Sequence, residues 1–173
     1  TLPTPERRII YILPAGEFTA THRRVLKLTA EYMEAFFGLP VKLLPAIGLN
    51  SVPSEKTRKH PSEGTKQILT GYFLDDLMPG MLTKDAAAFI CLTNRDLYPR
   101  DEWSYVFGQA YLQNRVGVYS FARFGDPDKS AQSYDLFLGR TLSTAMHETG
   151  HMFSMHHCTK YECLISGSNH LGE

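Results

Sequence analysis

The chain has 173 residues, of which 43% are hydrophobic and 21% are charged, as is typical of a soluble globular domain. Basic and acidic residues both number 18, and the resulting zero net charge removes the electrostatic argument for nucleic acid or an anionic membrane as a partner. No apolar run approaches the roughly 18 residues that a membrane-spanning helix needs. We therefore expect one soluble domain that binds neither nucleic acid nor a membrane.

The first strand and helix are predicted near the start of the chain. "RRIIYILPAG" (residues 7–16) is an apolar, β-branched run that ends in Pro and Gly, which is typical of a buried strand. Apolar residues then recur at helical spacing, with Thr19 or Thr21 available as the N-cap and Gly38 as the stop signal. The pattern predicts a strand followed by an amphipathic helix.

The middle of the chain predicts two more strands and a helix. "VKLLPAI" (residues 41–47) is predicted as a strand, residues 50–64 as a polar loop, and Thr65 as the start of a second helix. "AAAFICLT" (residues 86–93) is apolar throughout and is predicted as a third strand, with Cys91 in the core. This alternation favours a parallel or mixed sheet with helices against it.

The last third predicts a hairpin and a final helix. "SYVFGQAYL" and "VGVYSFARF", joined by "QNR", resemble two antiparallel strands added to the sheet. Ser133 is predicted to cap the helix, with Asp135 in its first turn, where a negative charge is favourable. The helix runs into "HETGHMFSMHHC" (residues 147–158), which contains four histidines.

This histidine-rich segment is typical of a zinc site. His147 and His151 lie one helical turn apart on the same face, so both can bind one ion. Glu148 is too close in sequence to be a third ligand on that face, but it can reach a metal-bound water and act as general base. Three protein ligands and one water form the usual catalytic arrangement of Zn²⁺.

The third ligand must come from beyond the helix, where His156 and His157 are both available. The pattern H-E-x-x-H-x-x-G-x-x-H selects His157, and His156 stays an alternative. Ser154 stands at the glycine position of that pattern, where the backbone usually has positive φ. A serine in that conformation costs on the order of 1 kcal/mol.

Two cysteines follow the histidines. Cys158 and Cys163 are either idle thiols or two of the four ligands of a structural zinc site, and a disulfide between them would suit an oxidising compartment. Three cysteines in all is an odd, low count that favours a reducing compartment, so we expect a cytoplasmic or nuclear protein. His170 is a weaker candidate metal contact.

"HETGHMFSMHHCTKYECLISGSNHLGE" resembles the archaemetzincin pattern HExxHxxGxxHC followed by x4-C and then x-Met. "DLYPRDEWSYVFGQA" and "VGVYSFARF" resemble the same family, and the resemblance extends from about Arg8 to the end. It implies an α/β (α+β), metzincin-like zincin fold, with a twisted mixed sheet, a backing helix, an active-site helix and a small C-terminal subdomain. Residues 1–173 would form one catalytic domain, with an N-terminal lobe over 7–153 and the start of the subdomain over 154–173.

The resemblance also implies a function and roles for individual residues. His147, His151 and His157 would bind the catalytic zinc, and Glu148 would be the general base. Cys158 and Cys163 would be half of a second, structural zinc site, completed by a CxxC further on. An edge strand over residues 105–112 would pair with an extended substrate.

Three departures from the family pattern affect these expectations. Ser154 replaces the turn glycine, and Ile165 replaces the Met below the zinc site; Ile fills the volume but is stiffer and lacks the thioether. The chain ends at Glu173, before any CxxC, so we expect one catalytic zinc, and a second only if further cysteines exist.

The leading hypothesis is a monomeric zinc-dependent metallopeptidase that acts on peptides or small proteins. Ser154 and Ile165 motivate an alternative, a zinc-containing peptide-binding module that is catalytically weak or inactive. A redox domain built on the two neighbouring cysteines is the weakest hypothesis.

Overall fold

The computed structural model describes residues 1–167; residues 168–173, with His170 and the end of the predicted subdomain, lie outside the described part. Two long helices and three short helical turns accompany the strands. The helices are α1 (Ala20–Phe37) and α2 (Ala131–Met152), and the turns cover Ser54–Lys56, Tyr72–Leu77 and Pro79–Met81. The strands are β1 (Ile9–Ala15), β2 (Val41–Leu43), β3 (Thr57–Lys59), β4 (Lys66–Leu69), β5 (Ala86–Thr93), β6 (Asp96–Tyr98), β7 (Gly108–Ala110) and β8 (Val116–Ser120).

A five-stranded sheet with the order β2-β1-β5-β8-β7 forms the centre of the protein. All neighbours are parallel except β7, which runs antiparallel to β8 with Gly108 opposite Tyr119. The central strand β5 is buried along its whole length and includes Cys91, as its apolar sequence predicts. The predicted mixed sheet and the predicted hairpin are therefore both confirmed.

Both long helices cover one face of this sheet. Thr19 caps α1 by accepting the N–H of His22, and Gly38 ends the helix with φ 63°, so both predicted boundary signals are confirmed. Alternate sheet residues pack against the buried sides of the helices in one apolar cluster that includes Ile10, Ile12, Ile90, Tyr119, Val25, Met33, Phe137 and Met146. In residues 1–167, no helix has the length and apolar character needed to cross a membrane.

The opposite face carries a feature that the sequence pattern did not reveal. A second sheet, with the order β3-β4-β6, packs there together with the helical turn Tyr72–Leu77. The predicted helix from Thr65 is wrong in its first half, since Lys66–Leu69 pairs with β3 and with β6. The predicted loop over residues 50–64 likewise contains β3. The pairing with β6 joins segments far apart in sequence, so it overrides the local helical spacing.

Helix α2 begins three residues earlier than predicted. Ser130 is extended, and its Oγ accepts the N–H of Ser133 at 3.0 Å, so Ser130 is the N-cap and Ser133 lies inside the helix. The prediction that Ser133 caps the helix with Asp135 in the first turn is therefore wrong. The last turns of α2 carry three candidate site residues, His147, Glu148 and His151.

Candidate metal centre

Helix α2 ends in a tight turn centred on Ser154, which has φ 67°. The N–H of Met155 donates to the carbonyl of Gly150 at 3.0 Å, and the N–H of Ser154 donates to the carbonyl of His151 at 2.8 Å. This pair of bonds is the Schellman motif, whose left-handed position favours glycine. Ser154 occupies it and donates its hydroxyl to the carbonyl of Leu112 at 2.9 Å. The turn that the family pattern forms with glycine therefore forms here with serine.

The turn brings the histidines after the helix back over its last residues. The Nε2 atoms of His147 and His151 are 3.0 Å apart, and Nε2 of His157 lies 3.1 Å from that of His151 and 3.3 Å from that of His147. His156 is exposed and is not part of this cluster. The structure thus places His157, and not His156, with the two helix histidines; we call His147, His151 and His157 the histidine cluster.

Backbone carbonyls orient two of the three rings. Nδ1 of His147 lies 2.9 Å from the carbonyl oxygen of Leu164, and Nδ1 of His151 lies 2.7 Å from that of Met155. A carbonyl oxygen only accepts, so Nδ1 carries the proton and Nε2 keeps a lone pair directed at the centre. Burial lowers the pKa of both histidines, which favours the neutral, metal-binding form.

Glu148 follows His147 but occupies a different environment. Its side chain is buried, and Oε2 has no hydrogen-bond partner within the part of the chain that the structure describes. This burial raises the pKa of Glu148 to about 8. The carboxylate lies against Gly108 of β7, where an added Cβ would be 2.5 Å from Oε1. Gly108 therefore leaves the space that the Glu148 side chain fills.

The histidine cluster and Glu148 lie in a cleft of about 1670 Å³. One wall is α2, another is the segment over residues 102–110, and further lining comes from residues around Leu164. Strand β7 is an edge strand of the five-stranded sheet, because β8 is its only neighbour there and its other side is unpaired in this sheet. The predicted edge strand over residues 105–112 thus lies in the cleft, although its regular part is only Gly108–Ala110.

Cys158 and Cys163 lie just after the histidine cluster, and both are free thiols. Hydrogen bonds from the backbone N–H groups of Lys160 and Tyr161 are the main cause of a lowered pKa of Cys158, and the Cys163 side chain contributes. A lowered thiol pKa favours the thiolate, which is the metal-binding form. No further His, Cys, Asp or Glu joins these two sulfurs in a metal-binding group within residues 1–167.

Sequence patterns alone did not reveal three supporting groups. The carbonyls of Leu164 and Met155 are backbone atoms and carry no sequence signal. Gly108 did carry a sequence signal, since a glycine inside a predicted strand often marks a place where another group closely approaches the backbone. Ile165, at the family's Met position, packs its Cδ1 against Gly150, where an added Cβ would lie only 2.9 Å away.

Comparison with known proteins supports the pattern found in the sequence. The family model for "Peptidase family M54" matches residues 71–173. Archaemetzincin-2 of Rattus norvegicus is 37% identical over 99% of this chain and 55% of its own length. An archaemetzincin of Thermococcus kodakarensis is 30% identical over 94% of this chain and 84% of its own. The chain thus spans about half the length of the mammalian relatives that it matches.

Solved structures agree with the fold. The crystal structure of archaemetzincin from Methanopyrus kandleri has a TM-score of 0.75 at 26% identity, covering 99% of this chain and 87% of that one. The archaemetzincin from Archaeoglobus fulgidus, solved with malonate, has a TM-score of 0.72 at 25% identity, covering 95% and 89%. The predicted metzincin-like fold, with a mixed sheet, a backing helix and an active-site helix, is therefore confirmed.

Proposed function

This chain belongs to peptidase family M54, the archaemetzincins, and we propose that it is a zinc metallopeptidase that hydrolyses peptide bonds in peptides or small proteins. The observation that carries the proposal is the convergence of three imidazole Nε2 atoms within 3.3 Å of one another, beside a buried glutamate in an open cleft.

The donor set suits zinc. Three neutral imidazoles are a preferred ligand set for Zn²⁺ at catalytic sites, which keep one position open to water or substrate. His147 and His151 already have their Nδ1 protons bound by backbone carbonyls, an arrangement that makes the opposite nitrogen a better ligand. We assign His147, His151 and His157 as the zinc ligands. Zinc held by these residues would supply Lewis acidity and would lower the pKa of a bound water.

Glu148 is the general base of the proposed reaction. Its carboxylate removes one proton from the water as the oxygen attacks the carbonyl carbon, and then gives this proton to the amine nitrogen as the C–N bond breaks. One group therefore serves first as base and then as acid. Burial raises the pKa of Glu148 in the metal-free protein, and a zinc ion bound beside it would lower that pKa again. The carboxylate would then be ionised and could act first as the base.

Strand β7 is the proposed binding surface for the substrate backbone. Its free side faces the cleft, and an extended peptide can add to this edge through main-chain hydrogen bonds. Because Gly108 touches the Glu148 carboxylate, the same strand that holds the peptide also borders the general base. Binding along β7 brings the scissile bond near both Glu148 and the histidine cluster.

The remaining assignments are also proposals. Cys158 and Cys163 can supply two ligands to a structural zinc, which needs two more from elsewhere. Three free thiols support a reducing, intracellular location. We propose that the enzyme acts as a monomer.

The test is a Glu148→Gln variant compared with Glu34→Gln, which removes an exposed carboxylate on α1 that does not line the cleft. With one zinc bound, Glu148→Gln should lower kcat/KM on a peptide library by about 10³-fold, and Glu34→Gln should match the wild type. A fully active Glu148→Gln enzyme would contradict the mechanism. Zinc-loaded wild type that binds peptides without cleaving any would instead support the binding-module alternative.

A further inference from the structure

Trp103 is an exposed aromatic residue at the rim of the cleft. It is the only tryptophan in the chain, and 47% of its surface is accessible. Leu136 of α2 and Leu164, which also line the cleft, are 52% and 39% exposed. Single exposed apolar residues are ordinary on protein surfaces, but several lining one concave site are typical of a ligand-binding surface.

The backbone at Trp103 is firmly held in spite of this exposure. The Arg58 guanidinium donates to three backbone carbonyls: from Nη1 to Asp101 at 3.0 Å, and from Nη2 to Ser104 at 3.1 Å and to Trp103. Charge-assisted bonds of this kind are roughly twice as strong as neutral ones. One side chain of β3 thus fixes the segment that carries the indole.

Arg58 is in turn fixed by buried neighbours. Its Nε donates to Oε1 of Gln67 at 2.8 Å, and its guanidinium lies 3.9 Å from the centre of the Tyr98 ring. Gln67 is fully buried and donates from Nε2 to the carbonyl of Ser104 at 2.8 Å. The backbone of the rim therefore has a rigid support, so an incoming ligand need not order this segment and binding loses less entropy.

We propose that Trp103 determines substrate specificity by binding a large apolar side chain of the peptide, so that the preferred substrates are extended peptides with such a residue near the cleaved bond. The inference rests on the proposed peptidase function. Trp103 precedes Gly108 by five residues, which an extended chain covers in at most about 17 Å. The apolar side chain therefore lies at most about five residues from the cleaved bond.

The indole itself reports on binding, because no second tryptophan contributes to the emission. Zinc-loaded Glu148→Gln protein is titrated with decapeptides of Gly and Ser that carry one Leu, moved along the chain. At one position, Leu should shift the emission to the blue and bind about ten-fold tighter than Gly, the effect of partly burying one such side chain. Equal affinity for all peptides, with no change in emission, would overturn the proposal.

Two pairs of variants test the residues by calorimetry. Trp103→Ala should abolish the ten-fold preference for Leu, and Trp103→Phe should retain most of it. Arg58→Met should reduce the preference to about two-fold by releasing the rim, whereas Lys59→Met, at the exposed next position of β3, should not change it. An undiminished preference in Trp103→Ala would contradict the assignment.

This binding experiment also separates the two proposals. A Leu preference with an emission shift, in a protein whose wild type cleaves no peptide, would support the role of Trp103 and contradict the peptidase activity. Cleavage by wild type with equal kcat/KM for Leu and Gly peptides would support the peptidase activity and contradict the role of Trp103.

Discussion

Two clusters of polar side chains lie near the cleft, and they are built on opposite principles. In the first, which we call the ionic network, Arg123 donates Nε and Nη2 to the two carboxylate oxygens of Asp96 at 2.9 and 2.8 Å. The other side of Arg123 contacts Glu63 at 2.9 Å, and Gln67 donates to Asp96 at 2.8 Å. Burial opposes the charge of Arg123, but the bonds to Asp96 and Glu63 outweigh it and raise the pKa of Arg123.

The histidine cluster instead assembles three identical groups. Their Nε2 atoms face one another at 3.0 to 3.3 Å. Because the Nδ1 protons of His147 and His151 are used on carbonyls, the Nε2 lone pairs of these two histidines face each other. Complementary partners in the ionic network stabilise the fold by themselves. The imidazole nitrogens of the histidine cluster do not stabilise one another in this way, and they gain stability when they bind a cation together. The difference distinguishes a structural support from a binding site.

The largest expected effect on folding falls on the ionic network. Asp96→Ala removes the buried partner of Arg123, which then keeps only the 46% exposed Glu63, and it also removes an acceptor of the buried Gln67. It should lower the free energy of unfolding by about 3–5 kcal/mol. Asp76→Ala is the matched control, because Asp76 pairs with Lys56 at 2.9 Å but is 46% exposed, and it should cost less than about 1 kcal/mol. Urea unfolding measures both; equal losses would contradict the comparison.

Next in size is a stabilising change beside the histidine cluster. In chelator-treated, metal-free protein, Glu148→Gln should raise the free energy of unfolding by on the order of 3 kcal/mol at pH 7. The reason is that burial raises the pKa of Glu148 to about 8, from the ordinary value of 4.5 for a glutamate. Urea unfolding of both proteins across a pH series measures the difference.

The pH dependence has a definite sign. Below pH 4.5 the carboxyl is protonated in the folded and the unfolded chain, so the variant should gain nothing. As the pH rises toward 8, the unfolded chain ionises while the folded one keeps its proton, so the wild type loses stability relative to Glu148→Gln. A gap between the two proteins that is constant with pH would contradict the buried position of this carboxyl.

A smaller effect is expected at the turn that brings the histidines together. Ser154→Ala keeps the left-handed strain and loses the bond to the Leu112 carbonyl, so it should destabilise the protein by about 1 kcal/mol. Ser154→Gly loses the same bond but relieves a strain of about 1 kcal/mol, so it should lie near the wild type. Thermal unfolding compares the two variants; a glycine variant less stable than the alanine variant would contradict the assigned turn.

The sequence predicted those parts of the molecule that depend on local patterns. The Thr19 and Gly38 signals locate α1 because capping depends on a few neighbouring residues. The position of His157 was predictable because it depends only on the single turn that ends α2. The second sheet and the ionic network were missed, since Asp96 meets Gln67 and Arg123 from 29 and 27 positions away, and such pairings leave no local signal.

The measurement that tests the central claim most directly is zinc per chain, by mass spectrometry, on wild type, His157→Ala and His156→Ala. The two variants remove neighbouring histidines, of which only His157 belongs to the histidine cluster. Wild type and His156→Ala should hold zinc at this site equally well, and His157→Ala should bind it at least about 100-fold more weakly. Zinc retained by His157→Ala and lost by His156→Ala would contradict the account.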